Sequence, residues 1–158
     1  MTVRQLLKFY RYAFALENYL LLARVTRAAW LVRRSLRRVA GTSDITPQLK
    51  AALPLIPGLY LPPQSRWRIS EAEKIARFAS LAVTVPVRWG RCLQQSLITW
   101  RLLNGYGIPS RLYIGINRND PDQGHVWVAR TGVSERAFAE AGDPRERFTT
   151  IYASPLPE

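Results

Sequence analysis

The spacing of apolar residues changes part-way along this chain of 158 residues, and this change constrains its fold more than any other feature. Up to Leu103, apolar residues recur at the i, i+3 and i+4 positions of amphipathic helices. From Ser110 onward they alternate with polar residues in short runs bounded by turn-forming residues, which predicts strands. Helices followed by an antiparallel sheet make an α+β fold.

The pattern in the first part of the chain predicts a helical segment followed by a proline-rich connector. Residues 3–39 have the spacing of one long helix, or of two helices with a break, and residues 48–53 could add a short helical piece. A connector follows that can be neither regular helix nor central strand, because it contains Pro54, Pro57, Pro62 and Pro63. We therefore predict an accessory segment at residues 1–64 and a core at residues 65–158.

Within the predicted core, local signals mark two helices and three strands. Ser70 and Glu73 form a capping box that predicts the start of one helix, and Pro86 ends it. The next apolar run extends to Asn104-Gly105, a pair that suits a left-handed C-terminal cap. The predicted strands are residues 110–116, 125–129 and 147–152, the first two close enough to form a hairpin.

The chain has one cysteine, Cys92, and one histidine, His125, and each stands at the start of a predicted element. A thiol in the first turn of a helix lies at the positive end of the helix dipole, which favours the thiolate. Imidazole is the usual base beside such a nucleophile. Any Cys/His chemistry must therefore use this pair; the alternative is a buried inert thiol and a surface imidazole.

The net charge of +12 predicts an anionic partner. Zinc-finger spacing, an aromatic RNA-binding signature and a phosphate-binding loop are all missing from the sequence, so we expect no nucleic-acid partner. The basic N-terminal helix could lie on anionic lipid. We favour a helix whose apolar face packs on the domain while its arginines are solvated.

Cysteine content also bears on location and cofactors. A single thiol cannot form an internal disulfide, so a reducing cytoplasm is the expected location. One cysteine and one histidine are too few ligands for a structural zinc site, and we expect no cofactor.

The predicted core has the order helix with Cys, strand, strand with His, and then an acidic residue beyond the histidine strand. Its most distinctive runs are residues 91–97, 100–103, 107–112, 114–115 and 125–128. The order resembles that of the transglutaminase-like, papain-like thiol enzymes, and the local sequence of these runs is most similar to that of the lasso-peptide leader peptidases. The resemblance covers roughly residues 85–152, and the small size is similar to the split form, in which a separate protein recognises the leader.

This resemblance implies a cysteine peptidase that removes the leader from a ribosomally made lasso-peptide precursor before an ATP-dependent cyclase closes the ring. Cys92 matches the nucleophile of the family and His125 its base. The third member of a Cys-His-Asp triad should be a carboxylate beyond the histidine strand, and Asp143 matches the acidic turn before the last strand. The interval from His125 to Asp143 is longer than is usual in the family, and Glu135 is the alternative.

Elementary chemistry gives these residues compatible roles. The Cys92 thiolate would attack the scissile carbonyl, and His125 would protonate the leaving amine and then activate water. The backbone N–H of Cys92 is a candidate oxyanion donor. Trp127 should lie on the same side of its strand as His125, whereas Gln94 and Gln95 are expected to be exposed to solvent.

Two other functions fit the sequence. A transglutaminase-like acyl transferase would use the same thiolate, with an amine in place of water. A non-catalytic basic module would bind membrane or nucleic acid and would not need Cys92.

Overall fold

The computed structural model describes residues 16–39, 69–83, 91–131, 137–138, 140 and 142–155. The predicted helical piece at 48–53, residues 3–15 of the first predicted helix and the proline-rich connector lie outside these residues.

The described residues form helices first and an antiparallel sheet afterwards, which confirms the predicted α+β fold. The elements in chain order are α1 (Leu16–Val39), α2 (Ile69–Ala82), α3 (Arg91–Gly105), β1 (Ser110–Asn117), β2 (Gly124–Arg130), a 3₁₀ turn (Pro144–Glu146) and β3 (Phe148–Ala153). None of the described helices is long and apolar enough to cross a membrane.

The sheet has the order β2-β1-β3, and β1 pairs antiparallel with both neighbours. The predicted hairpin is present: β1 and β2 are joined by a tight polar connection in which the Asn117 N–H donates to the Gln123 carbonyl over 2.9 Å. Gly115 pairs with His125 on one side and Thr150 on the other, next to an irregularity in the pairing with β3. His125 therefore enters the sheet opposite a residue without a side chain.

Alternation along β2 separates two hydrophobic clusters. Val126 and Val128 belong to the main core with the three helices, whereas Trp127 and Ala129 belong to a smaller cluster that includes Phe148. Successive side chains of a strand point to opposite faces, so His125 shares the side of Trp127, as predicted.

Helix α1 belongs to the main core, in agreement with the expectation that its apolar face packs on the domain. Val25, Ala28 and Val32 of α1 are fully buried in the cluster that holds α2 and α3. The Arg24 guanidinium of α1 also donates to the Tyr106 hydroxyl over 2.7 Å. An apolar helix face of this kind is stabilised mainly by tertiary burial, so α1 and the later helices form one packed unit.

The ends of two helices differ from the sequence prediction. Helix α2 begins at Ile69, so Ser70 lies within its first turn and not at its cap. At the end of α3 the left-handed residue is Gly107, with φ of 73°, and not the predicted Asn104-Gly105 pair. The Ile108 N–H donates to the Leu103 carbonyl over 2.9 Å, which is the 6→1 bond of a Schellman cap.

Gly115→Ala should destabilise the sheet where the histidine enters it. A Cβ atom at this position would lie 2.9 Å from Phe148 Cβ and from ring carbons of Trp127, so we expect a loss of about 1–3 kcal/mol in the free energy of unfolding. Thermal and urea unfolding measure this loss.

Gly124→Ala is the matched control on the same hairpin, because the nearest atom to its added Cβ is 3.8 Å away. Its free energy of unfolding should be within about 0.5 kcal/mol of wild type. Equal losses in the two variants would contradict a steric requirement at Gly115.

Candidate active site

Cys92 occupies the second position of α3 and is half-buried, at the end of the helix where backbone N–H groups have no acceptor within the helix. One turn further along, the buried Ser96 hydroxyl donates to the Val126 carbonyl over 2.7 Å. Residues i and i+4 lie on the same helix face. The hydrogen bond therefore holds the face that carries the thiol against the beginning of β2.

Opposing effects act on the thiol of Cys92. Burial raises its pKa, but a hydrogen bond and the positive charge of His125, with backbone hydrogen bonds from Val126 and Leu93, hold the pKa below its ordinary value. The predicted thiolate therefore has a physical basis beyond the helix dipole, and the larger part comes from the imidazole.

The His125 imidazole lies between the thiol and a carboxylate. Its Nε2 donates to Glu140 Oε1 over 3.0 Å, and the two side chains are 23% and 24% exposed. Hydrogen bonds with Cys92 and Glu140 outweigh burial and raise the pKa of His125 to about 9. Because Glu140 binds Nε2, Nδ1 is the nitrogen left to face Cys92, and the charged state of the pair is thiolate with imidazolium.

Aromatic rings border the imidazole. The ring centroids of His125 and Phe148 are 5.0 Å apart, and those of His125 and Trp127 are 6.1 Å apart, both in stacked orientation. Stacked rings restrict rotation of the imidazole and favour a cation over their faces. Trp127 lies beside the imidazole and is itself buried, at 1% exposed.

Backbone pairing along the free edge of β2 explains the position of Glu140. Ala137 forms an antiparallel bridge with Ala129, and the Phe138 N–H donates to the Val128 carbonyl over 2.9 Å. In an antiparallel pair, each step forward on one strand is a step back on the other. Continuing this pairing places Glu140 beside the end of β2 at which His125 lies.

The interactions of Asp143, the predicted third member of the triad, are with Arg145. Its carboxylate caps the 3₁₀ turn by accepting from the Arg145 backbone N–H over 3.0 Å, and it forms an ion pair with the Arg145 guanidinium at 2.8 Å. Hydrogen bonds from Arg145 lower the pKa of Asp143. The alternative, Glu135, lies outside the described residues. Among the described residues, the carboxylate at His125 belongs to Glu140, which the sequence analysis missed.

The two glutamines after the nucleophile differ from the expectation of solvent exposure. Gln94 is 1% exposed, and its Oε1 accepts from Arg33 Nε of α1 at 3.5 Å. Arg33 also donates to the Ala82 carbonyl at the end of α2 over 2.7 Å. Arg33 thus joins three helices instead of belonging to a solvated face, while Gln95 is half-buried.

The arrangement suits nucleophilic attack on an acyl carbon. A half-buried thiolate, an imidazolium that can give up its proton and a carboxylate behind it are the groups that acyl transfer through a covalent thioester requires. Among the described residues there is no group of three or more His, Cys, Asp and Glu side chains that could hold a metal ion.

Comparison with known families agrees with this geometry. The family model of the transglutaminase-like superfamily matches residues 16–153. The chain belongs to the transglutaminase-like superfamily. No curated protein and no solved structure gives a significant match. Members of this superfamily are usually cysteine-based enzymes, and the match includes α1 as well as the Cys92 and His125 elements.

The reactivity of the transglutaminase-like thiol should depend on His125. Thiolate is the alkylated form, so a lowered pKa keeps the rate of iodoacetamide labelling high as the pH falls to neutrality. In His125→Gln burial is the largest remaining effect and the thiol pKa rises, so labelling at pH 7 should slow about tenfold per unit of that rise. The labelling rates of the two proteins should converge only above the raised thiol pKa of the variant, where both thiols are ionised.

The reference is the same protein unfolded in denaturant, where neither burial nor His125 shifts the pKa of Cys92. Mass spectrometry of the labelled protein over pH 5–10 gives the rates. Identical pH profiles for wild type and His125→Gln would contradict the thiolate–imidazolium pair.

Glu140→Gln and Asp143→Asn separate the two carboxylates. The Gln amide oxygen can still accept from Nε2, but its neutral charge no longer stabilises the imidazolium, so the pH at which labelling is half-maximal should rise. Asp143→Asn weakens the ion pair with Arg145, and His125 takes no part in that pair, so the labelling profile should stay unchanged. A shift in Asp143→Asn as large as that in Glu140→Gln would contradict this assignment.

Proposed function

We propose that this protein is a cysteine peptidase that removes the leader from a lasso-peptide precursor before macrocyclisation. The observation that carries the proposal is the Cys92–His125–Glu140 arrangement, in which the N-terminal end of a helix presents a thiol to a half-buried imidazole that is hydrogen-bonded to a carboxylate. Membership of the superfamily supports cysteine-based chemistry. The similarity of residues 85–152 to the leader peptidases supports the substrate class.

In the first step, Cys92 Sγ attacks the carbonyl carbon of the scissile peptide bond. The oxyanion that forms would accept from the Cys92 backbone N–H, which has no acceptor in the first turn of α3. As the C–N bond breaks, the His125 imidazolium gives its proton to the departing amine, which leaves as the new N-terminus of the core. The leader is then held as a thioester on Cys92.

In the second step, neutral His125 takes a proton from water, and the hydroxide equivalent attacks the thioester carbonyl. The C–S bond breaks, the leader leaves as a carboxylic acid and the thiolate is restored. Glu140 acts through His125: it fixes the tautomer and the ring orientation and stabilises the imidazolium in both steps. It takes the place predicted for Asp143.

The proposal includes partners. The precursor peptide is the substrate, a leader-recognition protein presents it, and an ATP-dependent cyclase uses the released core, all in the cytoplasm. The resemblance to the split peptidase form supports a separate recognition protein. A complex of the peptidase with that protein would raise the effective concentration of the bound leader at the thiol.

Incubation of the protein with a precursor and its recognition protein tests the proposal by mass spectrometry. Wild type should release free leader and free core, whereas Cys92→Ala should release neither, because the chain contains no other thiol. Glu140→Gln should lower kcat about a hundredfold or more. Asp143→Asn is the matched control and should retain most of the activity.

The products distinguish the proposal from its alternatives. A cross-linked product in the presence of an amine, without free leader, would identify an acyl transferase. Undiminished cleavage by Cys92→Ala would overturn the mechanism, and a precursor left intact by wild type with its recognition protein would overturn the substrate class.

A further inference from the structure

A groove runs along the face of α1 that is turned away from the core. Its wider part, of about 710 Å³, lies between α1 and the end of α2, where Trp30, Arg33 and Ala82 are among the lining residues. A second part of about 580 Å³ continues toward the beginning of α1 and includes Tyr19. Trp30 and Thr26 line both parts, so the groove is continuous along the helix.

Helical periodicity explains this continuity. Tyr19, Trp30 and Arg37 are separated by 11 and 7 residues, close to whole numbers of turns, and so fall on one line of the helix surface. At 1.5 Å per residue this line is about 27 Å long. That length accommodates about eight residues of extended peptide.

The groove is positively charged at the end nearer α2. Arg33, Arg34 and Arg37 line this part, and the sequence between Asn18 and Val39 contains no Asp or Glu. The face of α1 that carries Val25, Ala28 and Val32 is buried in the core. Because guanidinium groups bind carboxylates with two parallel hydrogen bonds, the charge is complementary to an acidic chain.

Apolar surface accompanies the charge. Trp30 is 56% exposed, and the Arg34 guanidinium lies 5.2 Å from the centre of its ring. Tyr19 and Leu20 are 62% and 69% exposed near the other end of the groove. Exposed aromatic side chains beside arginines are typical of surfaces that bind other chains.

Arg33 links the groove to the first turn of α3, the turn that contains Cys92. Its guanidinium lines the groove, donates to the Ala82 carbonyl and reaches Gln94, which is two positions after the nucleophile. A chain lying in the groove would therefore approach the end of α3 that carries Cys92.

We infer that this groove binds an acidic segment of the peptide substrate, at a distance from the bond that is cleaved. The carboxylates bind Arg34 and Arg37, and apolar side chains of the segment lie against Trp30 and Tyr19. The identification of the bound chain as the substrate rests on the proposed peptidase function. Remote contacts of this kind lower KM and leave kcat unchanged when they are equally strong in the ground and transition states.

The shape of the site favours a peptide over a lipid surface. A helix that lies on a membrane presents a convex apolar face with basic residues at its margins. Here Ala82 of α2 borders the basic part and the arginines line a recess, which admits a single chain more readily than a planar interface.

Fluorescence anisotropy with a synthetic probe tests the inference. The probe is a labelled ten-residue peptide of alternating Glu and Leu, and its counterpart carries Gln at each Glu; the protein is the full chain with Cys92→Ala. The acidic probe should bind, and the Gln counterpart should bind at least about tenfold more weakly, since charge-assisted hydrogen bonds are lost. Raised salt should weaken the binding.

Variants locate the binding. Arg34→Gln with Arg37→Gln should weaken the acidic probe about tenfold or more, and Trp30→Ala should also weaken it. Arg77→Gln, which removes one exposed arginine from α2, is the matched control and should bind as the parent does. Circular dichroism checks that each variant is folded.

Three outcomes would overturn the inference: no binding of the acidic probe, an equal loss in Arg77→Gln, or binding of phosphatidylglycerol vesicles or single-stranded RNA through the same arginines without binding of the probe. The proposed peptidase function fails separately, through uncleaved precursor. With cleavable precursor, the arginine variants should raise KM and leave kcat within about twofold of wild type.

Discussion

The hydrogen bond from Ser96 Oγ to the Val126 carbonyl is the contact on which the candidate site depends. It is buried, so loss of the hydroxyl would leave a carbonyl without this partner in an apolar setting. It joins the turn of α3 that follows Cys92 to the residue that follows His125. Two residues far apart in the sequence are thereby held in one geometry by an interaction that neither of them makes.

Once that geometry is fixed, Cys92 and His125 determine each other's charge. Burial opposes ionisation of both groups, and each group supplies the charge that stabilises the other. Glu140 tips the balance toward the charged state, because an imidazolium between a thiolate and a carboxylate has an anion on each side. Phe148 and Trp127 border the ring and restrict its rotation, and the absence of a side chain at Gly115 gives them room.

The sequence predicted those parts of the molecule that depend on local pattern. The α+β order, the hairpin and the placement of Cys92 at a helix start follow from periodicity and turn residues. The role of Glu140 could not be predicted in this way. Its position depends on which residues pair in the bridge between Ala129 and Ala137, and local sequence patterns do not specify that pairing. Asp143 lies in an acidic turn sequence that suggests a catalytic carboxylate. A carboxylate two residues before an arginine in such a turn can instead accept hydrogen bonds from that arginine, as Asp143 does from Arg145.

Helix α1 shows how one amphipathic pattern can serve two purposes. The spacing that places arginines on one face of this basic helix also places apolar residues on another face. That apolar face is buried in the core at Val25, Ala28 and Val32. Since the helix is fixed by its core face, its outer face is fixed as well. Exposed arginines and Trp30 are then held in a constant position relative to the first turn of α3, because Arg33 contacts Gln94 there. A binding surface on this helix therefore has a fixed geometry relative to the core.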